Sequence, residues 1–122
     1  MTYSFSTPSV PPSLNKYLRM HFHAKKKLKL AWQNEFYALD RQGFQLLRAC
    51  AQAQRKIRMT ITIHNARQYD QDNAYGSVKV IVDATKDVGL IHDDRKEFLD
   101  LRVYQEPSSR KEKHTTVEIG PA

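Results

Sequence analysis

Acidic residues crowd into one part of this chain. Tyr69–Asn73 reads YDQDN, GLIHDD follows at 89–94, and Lys79 lies between them. Residues two apart in an extended chain point to the same side, so Asp70 and Asp72, at a strand end, can converge on one ion. Asp93 and Asp94 follow a helical pattern and can meet that pair in space. Oxygen ligands without cysteine, and with few histidines near, select hard cations such as Mg²⁺ or Mn²⁺ over zinc. Lys79 shares a helical face with Asp72, Gly76 and Asp83, opposite Val78, Ile81 and Val82. An ammonium placed there can stabilise charge building on a phosphate oxygen. Each residue also has a plainer use. Asp72 can cap a helix, Asp93–Asp94 can form an exposed turn, and Lys79 can pair with Asp83.

Charge outside this segment points to the substrate class. The chain carries +7 overall, yet Tyr69–Asp94 holds six acids against two lysines, a net of −4, leaving +11 elsewhere. A basic body binds polyanions by releasing their counterions, while an acidic island can hold divalent cations against a phosphodiester. A solvated acidic loop is the simpler account of the island when charge is considered alone.

These groups must be positioned by a small set of elements. Residues 2–7 alternate as a short edge strand, and prolines 8, 11 and 12 make PPSLNKYL a fixed loop. From about Ala24, Leu28, Trp32, Phe36 and Leu39 recur at helical spacing. Asp40 can cap a second helix through Phe44, Leu47 and Ala51, or Gly43 can bend one long helix. Ile57, Met59, Ile61 and Ile63 mark the clearest strand. Val78 to Val88 reads as an amphipathic helix, with Gly89 at its C-terminal cap. Leu99–Val103 and Thr115–Ile119 alternate around the turn-rich EPSSRKEK, which predicts a long-looped antiparallel hairpin. The order β-α(α)-β-α-β-β predicts one α+β domain over 1–122, a mixed sheet of about four strands covered by helices.

At 122 residues there is room for one core. No apolar run approaches the ~20 residues of a membrane span. MTYSFSTPSVPP lacks the basic-then-apolar order of a secretory signal. The single cysteine, Cys50, excludes an internal disulfide and suits a reducing compartment, so the cytoplasm is the expected location. Trp32 and Cys50 read as core. The histidines His21, His23, His64, His92 and His114 have no zinc-ligand spacing.

DQDN at 70–73, KVIVDA at 79–84 and GLIHDD at 89–94 together resemble the RusA family of Holliday junction resolvases of bacteria, phages and prophages. PPSLNKYLRMH is similar to the opening of phage-type members, and the likeness covers most of the chain in order. Two departures accompany it. Tyr69 stands where the founding member has a basic residue, and AYGS lengthens the path to Lys79.

The resemblance implies a homodimeric, Mg²⁺-dependent endonuclease that nicks four-way DNA junctions in recombination and repair. It implies metal binding by Asp70, Asp72 and Asp94, with Lys79 as catalytic lysine. Asp93, Asp83 and Asn73 would support those groups from behind. Asn15, Lys16, Arg19, Lys25, Lys26, Lys27 and Arg67 are expected to contact DNA phosphates, and the Arg110–Lys113 loop is an even choice between that role and plain solvation. The alternatives are a non-catalytic DNA-binding protein of the same fold, and a nuclease acting on other branched DNA.

Overall fold

The computed structural model describes residues 2–122. Along the chain run β1 (Tyr3–Thr7), α1 (Leu14–Arg19), α2 (Phe22–Tyr37), α3 (Arg41–Gln52), β2 (Ile57–Asn65), α4 (Gln71–Ser77), α5 (Lys79–Asp87), β3 (Leu99–Pro107) and β4 (His114–Pro121). The strands form one mixed sheet in the order β1-β4-β2-β3. The α+β architecture is therefore as the sequence predicts. Among the described residues no helix is long and apolar enough to cross a membrane.

Alternation decides which face is buried. Ile57, Met59, Ile61 and Ile63 of β2 and Val117 and Ile119 of β4 are all within 1% of complete burial. They pack with Trp32 and Phe36 of α2, Leu47 of α3 and Val80 and Ile81 of α5. Burying a side chain of this size stabilises by ~1.5–3 kcal/mol relative to exposure. The intervening Arg58, Thr60, Thr62 and His64 lie on the opposite, more accessible face. Cys50 is buried as a small apolar residue, as expected.

The predicted hairpin is not formed. β4 inserts antiparallel between β1 and β2, while β3 runs parallel to β2 on its other side. Alternation reports which face a strand buries and says nothing about its neighbours. β3 suits the edge position, because it carries Asp100, Arg102 and Glu106 and ends at Pro107. Its parallel pairing requires a crossover, and α4 and α5 supply it.

The N-terminal loop is also corrected. Residues 14–19 form helix α1, capped by Ser13, whose hydroxyl accepts from Lys16 N–H at 3.3 Å. No residue of α1 is buried, so no apolar stripe announces it. α2 begins at Phe22 rather than near Ala24 because the His21 ring caps it, accepting from His23 N–H at 3.2 Å. The choice between one helix and two resolves to two: Asp40 caps α3 by accepting from Gly43 N–H at 3.2 Å.

Candidate functional site

The YDQDN stretch is built as the mouth of a helix. β2 ends at Asn65, and Tyr69 is held just beyond it by three hydrogen bonds. Its N–H donates to Gln105 Oε1 at 2.7 Å, its carbonyl accepts from Gln105 Nε2 at 2.8 Å, and its hydroxyl donates to Pro11 O at 3.0 Å. Burial, opposed by Arg67, pushes the Tyr69 phenol up, so it stays protonated and able to donate.

Asp70 follows as the N-cap of α4. Its carboxylate accepts from Asn73 N–H at 2.8 Å and from Asn73 Nδ2 at 3.0 Å. This corrects the extended-chain reading of the pair. Asp72 lies in the first helical turn, exposed, so the two carboxylates do not share one side of a strand. An Asp cap satisfies N–H groups that a helix start leaves without partners, and the helix dipole favours both acids there.

GLIHDD is delivered by a helix ending. Gly89 adopts φ +81, a left-handed conformation that disfavours side chains. Gly89 N–H donates to Lys86 O at 3.0 Å and Leu90 N–H to Thr85 O at 3.1 Å, the paired bonds of a Schellman cap. Leu90 and Ile91 then sink into the core at 0% and 2% exposure, which turns His92–Asp94 back to the surface.

The two acids of that doublet differ. Asp93 is committed: it binds Lys86 Nζ at 3.0 Å and Arg95 Nε at 2.8 Å, and accepts from Asp94 N–H at 2.8 Å. The Lys86 ammonium first, then the Asp94 N–H, hold its carboxyl well below the usual range. Asp94 is left exposed and lines a cavity with Lys79, Lys56, Tyr75, Gly76 and Asp100. Lys79 and Asp94 thus line one cavity.

Asp83 stands behind them. Burial pushes its carboxyl up, opposed by Lys79 and Lys29 and reinforced by Asp94 and Asp87. No Lys79–Asp83 ion pair forms among the described residues; the two act through space.

A second, more polar cleft lies on the Asp70 side of α4. Asn15, Lys16 and Arg19 from α1 meet Arg67, Asp70 and Asn73 there. Four of the residues expected to touch phosphate are therefore brought together beside the first acid. Lys25 lies against α1, its ammonium 5.0 Å from the Tyr17 ring, while Lys26 and Lys27 are exposed on α2.

Gly76 makes this arrangement possible. A Cβ there would fall 2.6 Å from Leu14 Cδ2 and 2.9 Å from Leu14 Cβ, so only glycine lets α1 seat on α4. A glycine inside a helical pattern is the sequence signal that could have found this contact. Gln105 carries no comparable signal.

Asp70, Asp72 and Asp94 supply oxygen donors fit for a hard cation. They do not yet converge: Asp70 and Asp94 line different cavities, Asp72 neither of the two, and no three ligand-type side chains gather among the described residues. Compared with known proteins, the chain matches no family model and no curated protein.

Proposed function

We propose that this protein is a Mg²⁺-dependent endonuclease of the RusA type, acting as a homodimer on four-way DNA junctions. The observation that carries the reading is the placement of Asn15, Lys16, Arg19 and Arg67 in one cleft with Asp70, while Lys79 and Asp94 line a separate cavity with Tyr75 and Gly76 of α4. Phosphodiester cleavage needs basic groups to hold the backbone and acids with a lysine to act on it, and both kinds of group line the cavities beside α4.

In this reading Asp70, Asp72 and Asp94 would hold Mg²⁺ (or Mn²⁺), and the ion would supply water activation for phosphodiester hydrolysis. Lys16, Arg19 and Arg67 hold the sugar-phosphate backbone, and Asn73 orients Asp70 by donating a side-chain amide N–H to its carboxylate. Lys79 offers its ammonium to the non-bridging phosphate oxygens. Asp83 keeps negative charge close behind Lys79 without pairing with it. Asp93 fixes the turn that presents Asp94. Two copies are needed for symmetric nicks in a two-fold junction.

One observation favours a non-catalytic DNA-binding protein of the same fold: Asp70 and Asp94 line separate cavities. Incubating purified protein and Mg²⁺ with a mobile four-way junction, a flap and a linear duplex separates the readings. Paired nicks preferentially in the junction, abolished by Asp72→Asn with junction binding retained, support the resolvase. Faster flap cleavage moves the activity to other branched DNA. Binding without cleavage, or cleavage that survives Asp72→Asn, removes the proposed metal chemistry.

A further inference from the structure

The cavity lined by Lys79 and Asp94 holds more than phosphodiester chemistry uses. It measures about 530 Å³, within the ~300–1,000 Å³ of sites that enclose small molecules. Two further lysines line it: Lys56, just before β2, and Lys96, in the loop leading to β3. All three lysines are exposed, and none forms an ion pair among the described residues. Asp100 is already bound by Arg58 at 2.9 Å and Arg102 at 3.3 Å, so Asp94 brings the one carboxylate of the lining without an ion pair. The cavity is therefore short of anions. The rest of its wall is apolar: Val82 and Leu99 are each 5% exposed, Leu101 is half-buried, and Tyr75 adds an aromatic ring that is 42% exposed. Tyr75 belongs to AYGS, where this chain departs from the RusA pattern, so the resemblance does not imply it.

We propose that this cavity takes an unpaired nucleotide of a branched DNA strand, its base against Tyr75 and the apolar wall and its flanking phosphates on Lys56 and Lys96. The inference rests on the nuclease reading above. Inside a duplex both faces of a base are stacked, and a concave apolar wall cannot reach them. At a branch point pairing is already strained, so a base leaves the stack at least cost. An aromatic ring offsets that cost whatever the base, because every base has a π-face. The result is a preference for branched over linear DNA that needs no reading of sequence.

Position and rigidity support the assignment. Lys79 and Asp94, proposed to act on the scissile phosphate, line the same cavity, so a base seated there brings its own backbone beside them. The two added lysines stand on fixed backbone. β2 and β3 pair in parallel from Ile57 and Leu99 onward, and Ile57 N–H donates to Phe98 O at 2.9 Å. Leu99 N–H donates to Arg95 O at 2.9 Å and closes the turn that carries Lys96.

The test has two arms, and each reads binding. In the first, a 5′-phosphorylated thymidine dinucleotide is titrated into the folded protein and followed by NMR. Shifts are expected at Tyr75 and at the methyl groups of Val82, Leu99 and Leu101. Tyr75→Leu, and Lys56→Gln combined with Lys96→Gln, should each weaken binding about fivefold or more, with Tyr75→Phe close to wild type. In the second arm, 5-iododeoxyuridine is placed at the crossover of a four-way junction, or within one arm of it, and the complex is irradiated. Cross-linking to Tyr75, located by mass spectrometry, is expected from the crossover position alone. No dinucleotide shift at these residues, unchanged affinity in both variants with native circular dichroism, or equal cross-linking from the arm position overturns the proposal. Dinucleotide binding with no cross-link to Tyr75 also overturns the assignment to DNA and leaves a free nucleotide as the occupant. A junction cross-linked at Tyr75 but never cut supports the cavity and counts against the metal chemistry alone, which tells the two failures apart.

Discussion

The side-chain amide of Gln105 grips the main chain of Tyr69 through both its hydrogen-bonding groups, donating to the carbonyl and accepting from the N–H. Through this clamp an edge strand sets the position at which Asp70 starts α4. Gln105→Ala removes one partner from each of the two peptide groups flanking Tyr69, at a cost of about 1–3 kcal/mol. Chemical denaturation should register that destabilisation, and hydrogen exchange should rise at residues 69–73. Unchanged exchange there would show that the loop holds its shape without Gln105.

Gly76 and Leu14 are predicted to be energetically coupled. Gly76→Ala drives a methyl group into Leu14, so stability should fall by about 1–3 kcal/mol and α1 should shift. Because α1 carries Lys16 and Arg19, DNA affinity should fall with it. Leu14→Ala in the Gly76→Ala background should restore part of the stability, and a double-mutant cycle measures that interaction. Simple additivity would contradict the packing account.

Much of this architecture was legible from residue periodicity. The alternation of Ile57–Ile63, the Val78–Val88 stripe and Gly89 at the helix end each correspond to an observed element. α1 was not legible, since a helix with no buried residue leaves no apolar rhythm. Neither was the insertion of β4 between β1 and β2, because strand neighbours are chosen by the whole sheet. At the site, Lys79 was expected to face all three acids, and it lines a cavity with Asp94 but not with Asp70 or Asp72. Spacing misread Asp70 and Asp72 as an extended pair, because an aspartate after a strand is as ready to cap a helix as to continue the strand.

Lys16, Arg19 and Arg67 line the polar cleft and are predicted to bind phosphates. Replacing each with alanine should weaken junction and duplex binding alike. The slope of log affinity against log salt should drop by about one for each phosphate that is no longer neutralised. Fluorescence anisotropy over a salt series reads both effects. A slope equal to that of wild type would place these residues away from DNA.

Two carboxyls shifted in opposite directions, Asp93 and Asp83, contribute to the acid behaviour of the fold, alongside Asp100, which Arg58 holds below its ordinary value. Asp93 is held below its ordinary value by Lys86 and the Asp94 N–H, so it contributes stability at neutral pH. That contribution disappears as pH falls from the ordinary carboxylate range toward its depressed value. Asp93→Asn should therefore flatten the acid limb of the stability profile. Asp83 is raised by burial, so its ionisation opposes folding, and stability falls as pH rises through its raised value. Asp83→Asn should stabilise the protein at neutral pH. Thermal melts between pH 3 and pH 8 test both signs, and a destabilised Asp83→Asn would show that its attraction to Lys79 and Lys29 outweighs its burial.

The shared ion is the centre of the functional account, and anomalous diffraction addresses it directly. Crystals of the protein with a four-way junction and Mn²⁺ should give a peak bonded to carboxylate oxygens of Asp70, Asp72 and Asp94, at the ~2.0–2.2 Å of a small hard cation. A fully bound junction with no peak among these three side chains, or with Mn²⁺ held elsewhere, would contradict the account and leave a basic protein that binds DNA without cutting it.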